Sequence, residues 1–232
     1  MNNIHNGLKI DENTYDYFNS FIFSLDRKIL HKLILRIQLF DKVRHLHGDI
    51  VECGVFKGSG LVTWAKLIEL YCPFEIKKVI GFDFFDSTFV DDLRENDKKY
   101  MSKVFSRCEK SLNEIEYNSV FKKLCNIGIP SHKFELIKGD ISITSKKYTE
   151  TNIGFRISLL YMDLDLEEPT YNALENFWNF IVPGGIVVFD EYGYGIWSES
   201  NAVDRFVKKY KLVLHKTNVS APTAYIVKQL LV

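Results

Sequence analysis

From Gly48 to Tyr210 short apolar runs alternate with helical stretches, and this alternation leaves few choices of fold. "DIVECG", "KKVIGFDFF", "HKFELIKGD", "RISLLYMD" and "GGIVVFDEY" read as strands, and stretches such as "SGLVTWAKLIELY" and "SESNAVDRFVKKY" read as helices between or after them. Strands separated by helices pair in parallel, and a parallel sheet is covered on both faces. The stretch "EPTYNALENFWNFIVPGG" is expected to be a helix ended by Pro183, Gly184 and Gly185. In the tail, two strand-like runs flank "NVSAPT" with no room for a crossover helix, so they should form an antiparallel hairpin. The expectation is an α/β, doubly wound, Rossmann-like sheet of seven mostly parallel strands ending in that hairpin.

Two helices should precede the sheet, one around Thr14 to Ser24 and one opening at the N-cap Asp26. In the second, Ile29, Leu33, Ile37 and Phe40 recur at spacings of three and four, which predicts packing on the main body or on a second copy in a homodimer. Residues 1–47 are thus expected to be a helical extension and 48–232 the main domain, within a chain of 232 residues that suits a single domain. The charged, helical stretch of about 91–130 is longer than a crossover needs and reads as a lid, a substrate wall or an elaborated surface helix.

Thirty basic residues balance thirty acidic ones, which argues against a general nucleic-acid surface. No apolar run approaches the roughly 18 residues of a membrane span, and the N-terminus lacks a basic-then-apolar leader, so no membrane partner and a cytoplasmic location are expected. Cys53, Cys72, Cys108 and Cys125 have neither CxxC nor zinc spacing and read as reduced thiols, Cys53 as a small core residue.

In an open parallel sheet, ligands bind outside the carboxyl ends of the strands. The first strand ends in "VECGVFKGSG", whose glycines let the backbone approach a ligand ahead of a helix N-terminus. The spacing is not GxGxxG, and Glu52 would repel a pyrophosphate while attracting an ammonium or a hydroxyl; capping or a structural ion pair is the competing role for it. Asp83 closes the second strand and is placed to accept hydrogen bonds from ribose hydroxyls, with Asp86 a loop residue beyond it. Asp140, in "KGD", follows the third strand, where it could contact a base edge.

Strands four and five supply Asp163 and Asp165, and Asp190 and Glu191. Neighbouring strands lie about 5 Å apart, so these carboxylates converge, and like charges that close need a cation between them. Oxygen-only ligands suit Mg²⁺, Mn²⁺ or Ca²⁺ better than zinc. Glu167 and Glu168, just before Pro169, suit the first turn of a helix instead.

Taken together, "VECGVFKGSG", "GFDFFDS", "KGD", "YMDLDLEEPTYNALE", "PGGIVVFDEYG" and "AVDRF" resemble the macrocin-type (TylF-like) O-methyltransferases, class I enzymes that use S-adenosylmethionine. The resemblance runs from about Gly48 to Tyr210. It implies a class I methyltransferase fold in which Glu52, Gly54 and Gly58 bind the cofactor's methionine portion, Asp83 its ribose and Asp140 the adenine neighbourhood, with Ser59 a further cofactor-binding residue. It also implies Mg²⁺ (or Mn²⁺) on Asp163, Asp190 and Glu191, and an acceptor hydroxyl on a small molecule, a sugar of a natural product or a surface glycan. Catechol-type relatives carry a lysine base three residues after the strand-four aspartate; Leu166 stands there, which leaves Asp165 as the candidate base beside Asp163. Three other readings compete: a nucleotide-sugar glycosyltransferase built on the Asp163-Leu164-Asp165 triplet, a nicotinamide dehydrogenase, and a catalytically silent binding module. Phe84, Phe85, Tyr192, Tyr194 and Trp197 are candidates to stack on a sugar ring or to pack the rim.

Overall fold

The computed structural model describes residues 12–107, 109–218 and 221–229. Seven strands, β1 (Asp49–Cys53), β2 (Val79–Asp83), β3 (Phe134–Lys138), β4 (Ile157–Met162), β5 (Ile181–Phe189), β6 (His215–Lys216) and β7 (Ala224–Val227), form a sheet in the order β3-β2-β1-β4-β5-β7-β6. β1 to β5 are mutually parallel, and β7 runs antiparallel to both β5 and β6. Strand order reverses between β1 and β4, which makes their carboxyl ends the expected ligand crevice.

The near-continuous apolar strands follow from burial on both faces. Ile50, Leu159, Tyr161 and Val188 point into one core layer with Leu61, Trp64 and Ile68 of α3 (Ser59–Tyr71). Val51, Cys53, Leu160 and Met162 point into the other. That second layer takes Ile141 and Tyr148 of α6 (Ile141–Thr151), Leu174 and Phe177 of α7 (Glu167–Phe177), and Val203 and Phe206 of α8 (Glu199–Tyr210). Cys53 is fully buried, and burial pushes its thiol up, so it is an inert core residue.

The N-terminal helices are α1 (Glu12–Ile22) and α2 (Arg27–Val43), the second capped by the Asp26 carboxylate on the Ile29 N–H at 3.0 Å. The apolar stripe expected to pack is only partly the buried one. Leu39, Phe40 and Val43 enter the core beside α3, whereas Ile29 is 56% exposed and Ile37 is 41% exposed. The buried face of α2 rotates towards its basic residues, for reasons that lie at the strand ends.

The 91–130 stretch divides in two. α4 (Glu95–Arg107) contributes Met101 and Phe105 to a small cluster with Val90 and Leu166, above the strand ends. α5 (Tyr117–Asn126) buries Val120 and Leu124 against the main core, as a crossover helix does. Pro183, Gly184 and Gly185 do not end a helix. α7 stops at Phe177, and these residues lie inside β5, at the irregularity where pairing with β4 jumps from Ile157–Ile181 to Leu159–Ile186. Gly184 takes φ +81 there, a bulge that a proline and two glycines accommodate. No helix among the described residues is long and apolar enough to cross a membrane.

Gly54 carries the tightest constraint at the crevice. It has φ +92, and a Cβ would sit 1.9 Å from the Asp163 carbonyl oxygen. Gly54→Ala should therefore lose more than about 2 kcal/mol of stability, read as a melting temperature lower by roughly 5 °C or more; an unchanged melting curve would refute this packing.

Candidate functional site

Beyond the carboxyl ends of β1, β2 and β4 lies a cavity of about 680 Å³, within the usual range for small-molecule sites. Its floor is the loop after β1, with Gly54, Val55, Phe56, Ser59 and Gly60; its walls include Lys32, Asp83, Phe84, Asp86, Gly139, Asp163 and Asp165. α4 and its flank add Met101, Phe105 and Ile115, so this part of the 91–130 stretch is a cavity wall. Gly58 at φ +89 begins α3, which points its free N–H groups towards the cavity.

Asp83 does more local work than the ribose expectation assigned it. Its Oδ2 accepts hydrogen bonds from the Val55 and Phe56 N–H groups at 2.7 and 2.8 Å, and its Oδ1 accepts one from Phe85 N–H at 2.9 Å. It ties the end of β2 to the β1 loop. Asp86, taken from sequence as a loop residue, also lines the cavity and is a second acceptor on this side. Asp140 caps α6 through the Ser142 N–H at 2.8 Å and lines a smaller hollow with Phe84 and Phe89, while its neighbours Gly139 and Ile141 border the main cavity.

Asp163 and Asp190 meet on one cation, which comes from α2, and Glu191 meets another from the same helix. Lys32 Nζ lies 3.0 Å from Asp163 Oδ2 and 2.8 Å from Asp190 Oδ2. Lys28 Nζ lies 3.2 Å from Glu191 Oε1, and Arg36 Nη2 lies 3.0 Å from Glu52 Oε1. The other Asp190 oxygen accepts from the Tyr161 hydroxyl. Lys28, Lys32 and Arg36 are four residues apart and lie on one face of the helix. That spacing was the available signal, and the sequence reading missed it. Among the described residues no group of three or more His, Cys, Asp or Glu could hold a metal ion. As arranged, the carboxylates do not fit Mg²⁺ or Mn²⁺: the ammonium of Lys32 stands between the two best candidate ligands.

The titrations follow from this packing. Burial opposes the charge on Lys32, yet Asp163 and Asp190 outweigh it and raise the ammonium above its ordinary value. Burial, then Asp190, raises Asp163 against the pull of Lys32. Asp165 is pushed well up by burial and then by Asp163, Glu191 and Asp190, and it holds a strained φ of +63 at the cavity edge. Glu199 is fully buried with neither carboxyl oxygen hydrogen-bonded, and burial followed by Asp165 pushes its carboxyl well up. Burial pushes Glu52 up to about 7 with Arg36 opposing, while Arg36 is itself raised, burial being outweighed by Tyr161 and Glu52. These shifts pull in different senses, one towards a neutral acid and one towards a held ion pair. The permanent charge on Arg36 at 3.0 Å decides for an ionised Glu52 above neutrality. Arg36 also lies 4.7 Å from the Tyr161 ring centre, and the second oxygen of Glu52 has no partner.

Of the aromatic candidates, Phe84 stacks on Phe89 with ring centres 4.7 Å apart and lines the cavity; Phe85 is core. Tyr192 bonds Asp204, Tyr194 faces Lys28, and Trp197 packs edge-on against Tyr100. Glu167 and Glu168 open α7, as expected, and pair with Arg205 at 3.0 and 3.1 Å.

Comparison with known proteins bears on this arrangement. The model of the macrocin-O-methyltransferase (TylF) family matches residues 29–228. The structure is similar to two of CalS11: one described as a calicheamicin methyltransferase (26% identity, TM-score 0.69, covering 95% of this chain and 86% of that one), the other as a TDP-rhamnose 3′-O-methyltransferase (27%, 0.67, 95% and 88%). It also shares its fold with the O-methyltransferase NovP at 20% identity and a TM-score of 0.70, covering 85% of this chain and 79% of that one. A search of curated proteins returns no match.

Glu52 gives a pH test. Its proton is held more tightly in the folded chain, at about 7, than at its ordinary 4.5, so its contribution is fully present below about pH 4.5 and lost as pH rises through 7. Glu52→Gln should flatten the fall in unfolding free energy between pH 5 and 8 by up to about 3 kcal/mol; parallel curves for the two proteins would contradict it.

Proposed function

Given that the chain belongs to the macrocin-O-methyltransferase (TylF) family and is an O-methyltransferase, we propose that it methylates a hydroxyl of a small sugar-bearing acceptor with S-adenosylmethionine as donor. The observation that carries this reading is the orphaned Glu52 oxygen, buried at the edge of the cavity beside a glycine-built loop and a helix N-terminus. A buried acceptor without a donor suits an ammonium such as that of the cofactor's methionine portion, and the free N–H groups before α3 suit its carboxylate. Asp86, Gly139 and Ile141 border the opposite end, where a nucleoside would lie. When bound, S-adenosylmethionine supplies a methyl carbon activated by its sulfonium.

The residues of this chain supply the rest. Asp165 is the proton acceptor: it borders the cavity, and its raised affinity for a proton matches a base that must take one from a hydroxyl. Phe84 offers an apolar face for a sugar ring. The sugar acceptor is supported by the family and by the CalS11 description. Mg²⁺ or Mn²⁺ on Asp163, Asp190 and Glu191 would require Lys32 and Lys28 to leave, and no step here depends on it. The glycosyltransferase reading finds no support, since its triplet is split between Asp163 paired with Lys32 and Asp165 turned to φ +63.

Calorimetry with S-adenosylmethionine, UDP-sugar and NAD, followed by methyl-labelled S-adenosylmethionine offered to a panel of nucleotide sugars and glycosides, tests the assignment. S-adenosylmethionine alone of the three should bind; binding of UDP-sugar in its place would overturn the reading. Asp165→Asn should lower methyl transfer by roughly 10²-fold or more while cofactor affinity stays within about threefold.

A further inference from the structure

We propose that Lys32 is the resident cation of the active site, its ammonium doing between Asp163 and Asp190 what a divalent metal would otherwise do, so that methyl transfer by this chain needs no divalent ion. This rests on the methyl-transfer reading and adds a residue to it.

Two carboxylates from adjacent parallel strands cannot share a buried site uncompensated. Here the compensation is covalent. Lys32 lies within 3.0 Å of both, and its carrier α2 is anchored by Leu39, Phe40 and Val43 in the core and by the buried Arg36–Glu52 pair. Lys28 covers Glu191 in the same way, so all three candidate metal ligands are engaged by one helix. An ion entering this site would have to displace a tethered charge held by two ion pairs, against repulsion from Arg36 one turn further along.

Lys32 is also placed to act. An ammonium has three N–H donors; two are directed at Asp163 and Asp190, and the side chain lines the cavity next to Asp165. The third donor can hold the acceptor oxygen. In the transfer, the acceptor O–H proton passes to Asp165, the oxygen forms its bond to the methyl carbon, and the carbon–sulfur bond breaks with its electron pair left on a neutral thioether. Lys32 offsets the negative charge that builds on the oxygen before the bond forms, without itself giving up a proton.

The test is a Mn²⁺ titration of the full chain followed by electron paramagnetic resonance, on wild type, Lys32→Met and Lys32→Arg. Wild type and Lys32→Arg should show no tight site, while Lys32→Met should bind Mn²⁺ roughly tenfold more tightly or better, as removing a like charge from an oxygen site predicts. With an acceptor that turns over, the wild-type rate in EDTA should stay within about twofold, and Lys32→Met should fall by roughly 10²-fold. One tight Mn²⁺ per wild-type chain, or loss of wild-type activity in EDTA, overturns the proposal, and neither measurement needs the methionine variant to fold. Failure of S-adenosylmethionine to bind in calorimetry would sink the methyl-transfer reading while the Mn²⁺ result still reported on Lys32.

Discussion

Carboxylates brought together at the ends of parallel strands must be neutralised, and in this protein the neutralising charge sits on a helix that precedes the sheet. Lys28, Lys32 and Arg36 of α2 meet Glu191, the Asp163–Asp190 pair and Glu52. This explains the orientation of α2. A helix rotated to bury Ile29 and Ile37 would gain about 1.5–3 kcal/mol for each side chain, yet would leave four carboxylates around the strand ends without a cation, at several kcal/mol each. Electrostatics at one end and the packing of Leu39, Phe40 and Val43 at the other settle the helix together.

The same pairing gives the crevice its division of labour. On the β1 and β2 side, polar groups are tied up by the backbone, as Asp83 is, or left as single free acceptors, as with the second Glu52 oxygen. On the β4 and β5 side, charges are packed against one another, and the carboxyl groups left without a cation, Asp165 and Glu199, hold a proton more tightly than an ordinary carboxylate does. A ligand thus meets a receptive half and a proton-handling half within one cavity.

Much of this was legible in the sequence because its causes are local. Alternating runs are strands buried on both faces, and "YMDLDLEEPTY" divides into buried β4, a loop and the acidic first turn of α7 as its residue types demand. What escaped were effects whose partners lie far along the chain. Lys32 is 131 residues from Asp163 and 158 from Asp190, so nothing near it in sequence announces its role; the need for a cation was legible, its source was not. The Pro183-Gly184-Gly185 run was misread because the same residues that stop helices also accommodate a bulge, and only pairing with β4 distinguishes the two. Asp83 was expected to meet a ligand, and its additional bonds to the Val55 and Phe56 N–H groups come from partners 28 and 27 residues away that its own segment does not announce.

That last bond has a thermodynamic consequence. A carboxylate that accepts from two consecutive backbone N–H groups freezes the turn after β1 before any ligand arrives, and the Gly54 contact with Asp163 clamps the same turn from the other side. The entropy of ordering this loop is therefore spent during folding, when it is offset by the core, and not during association. Ligand affinity on this side of the crevice then depends on direct contacts alone, and association should be accompanied by little ordering of backbone, the behaviour of a rigid receptacle.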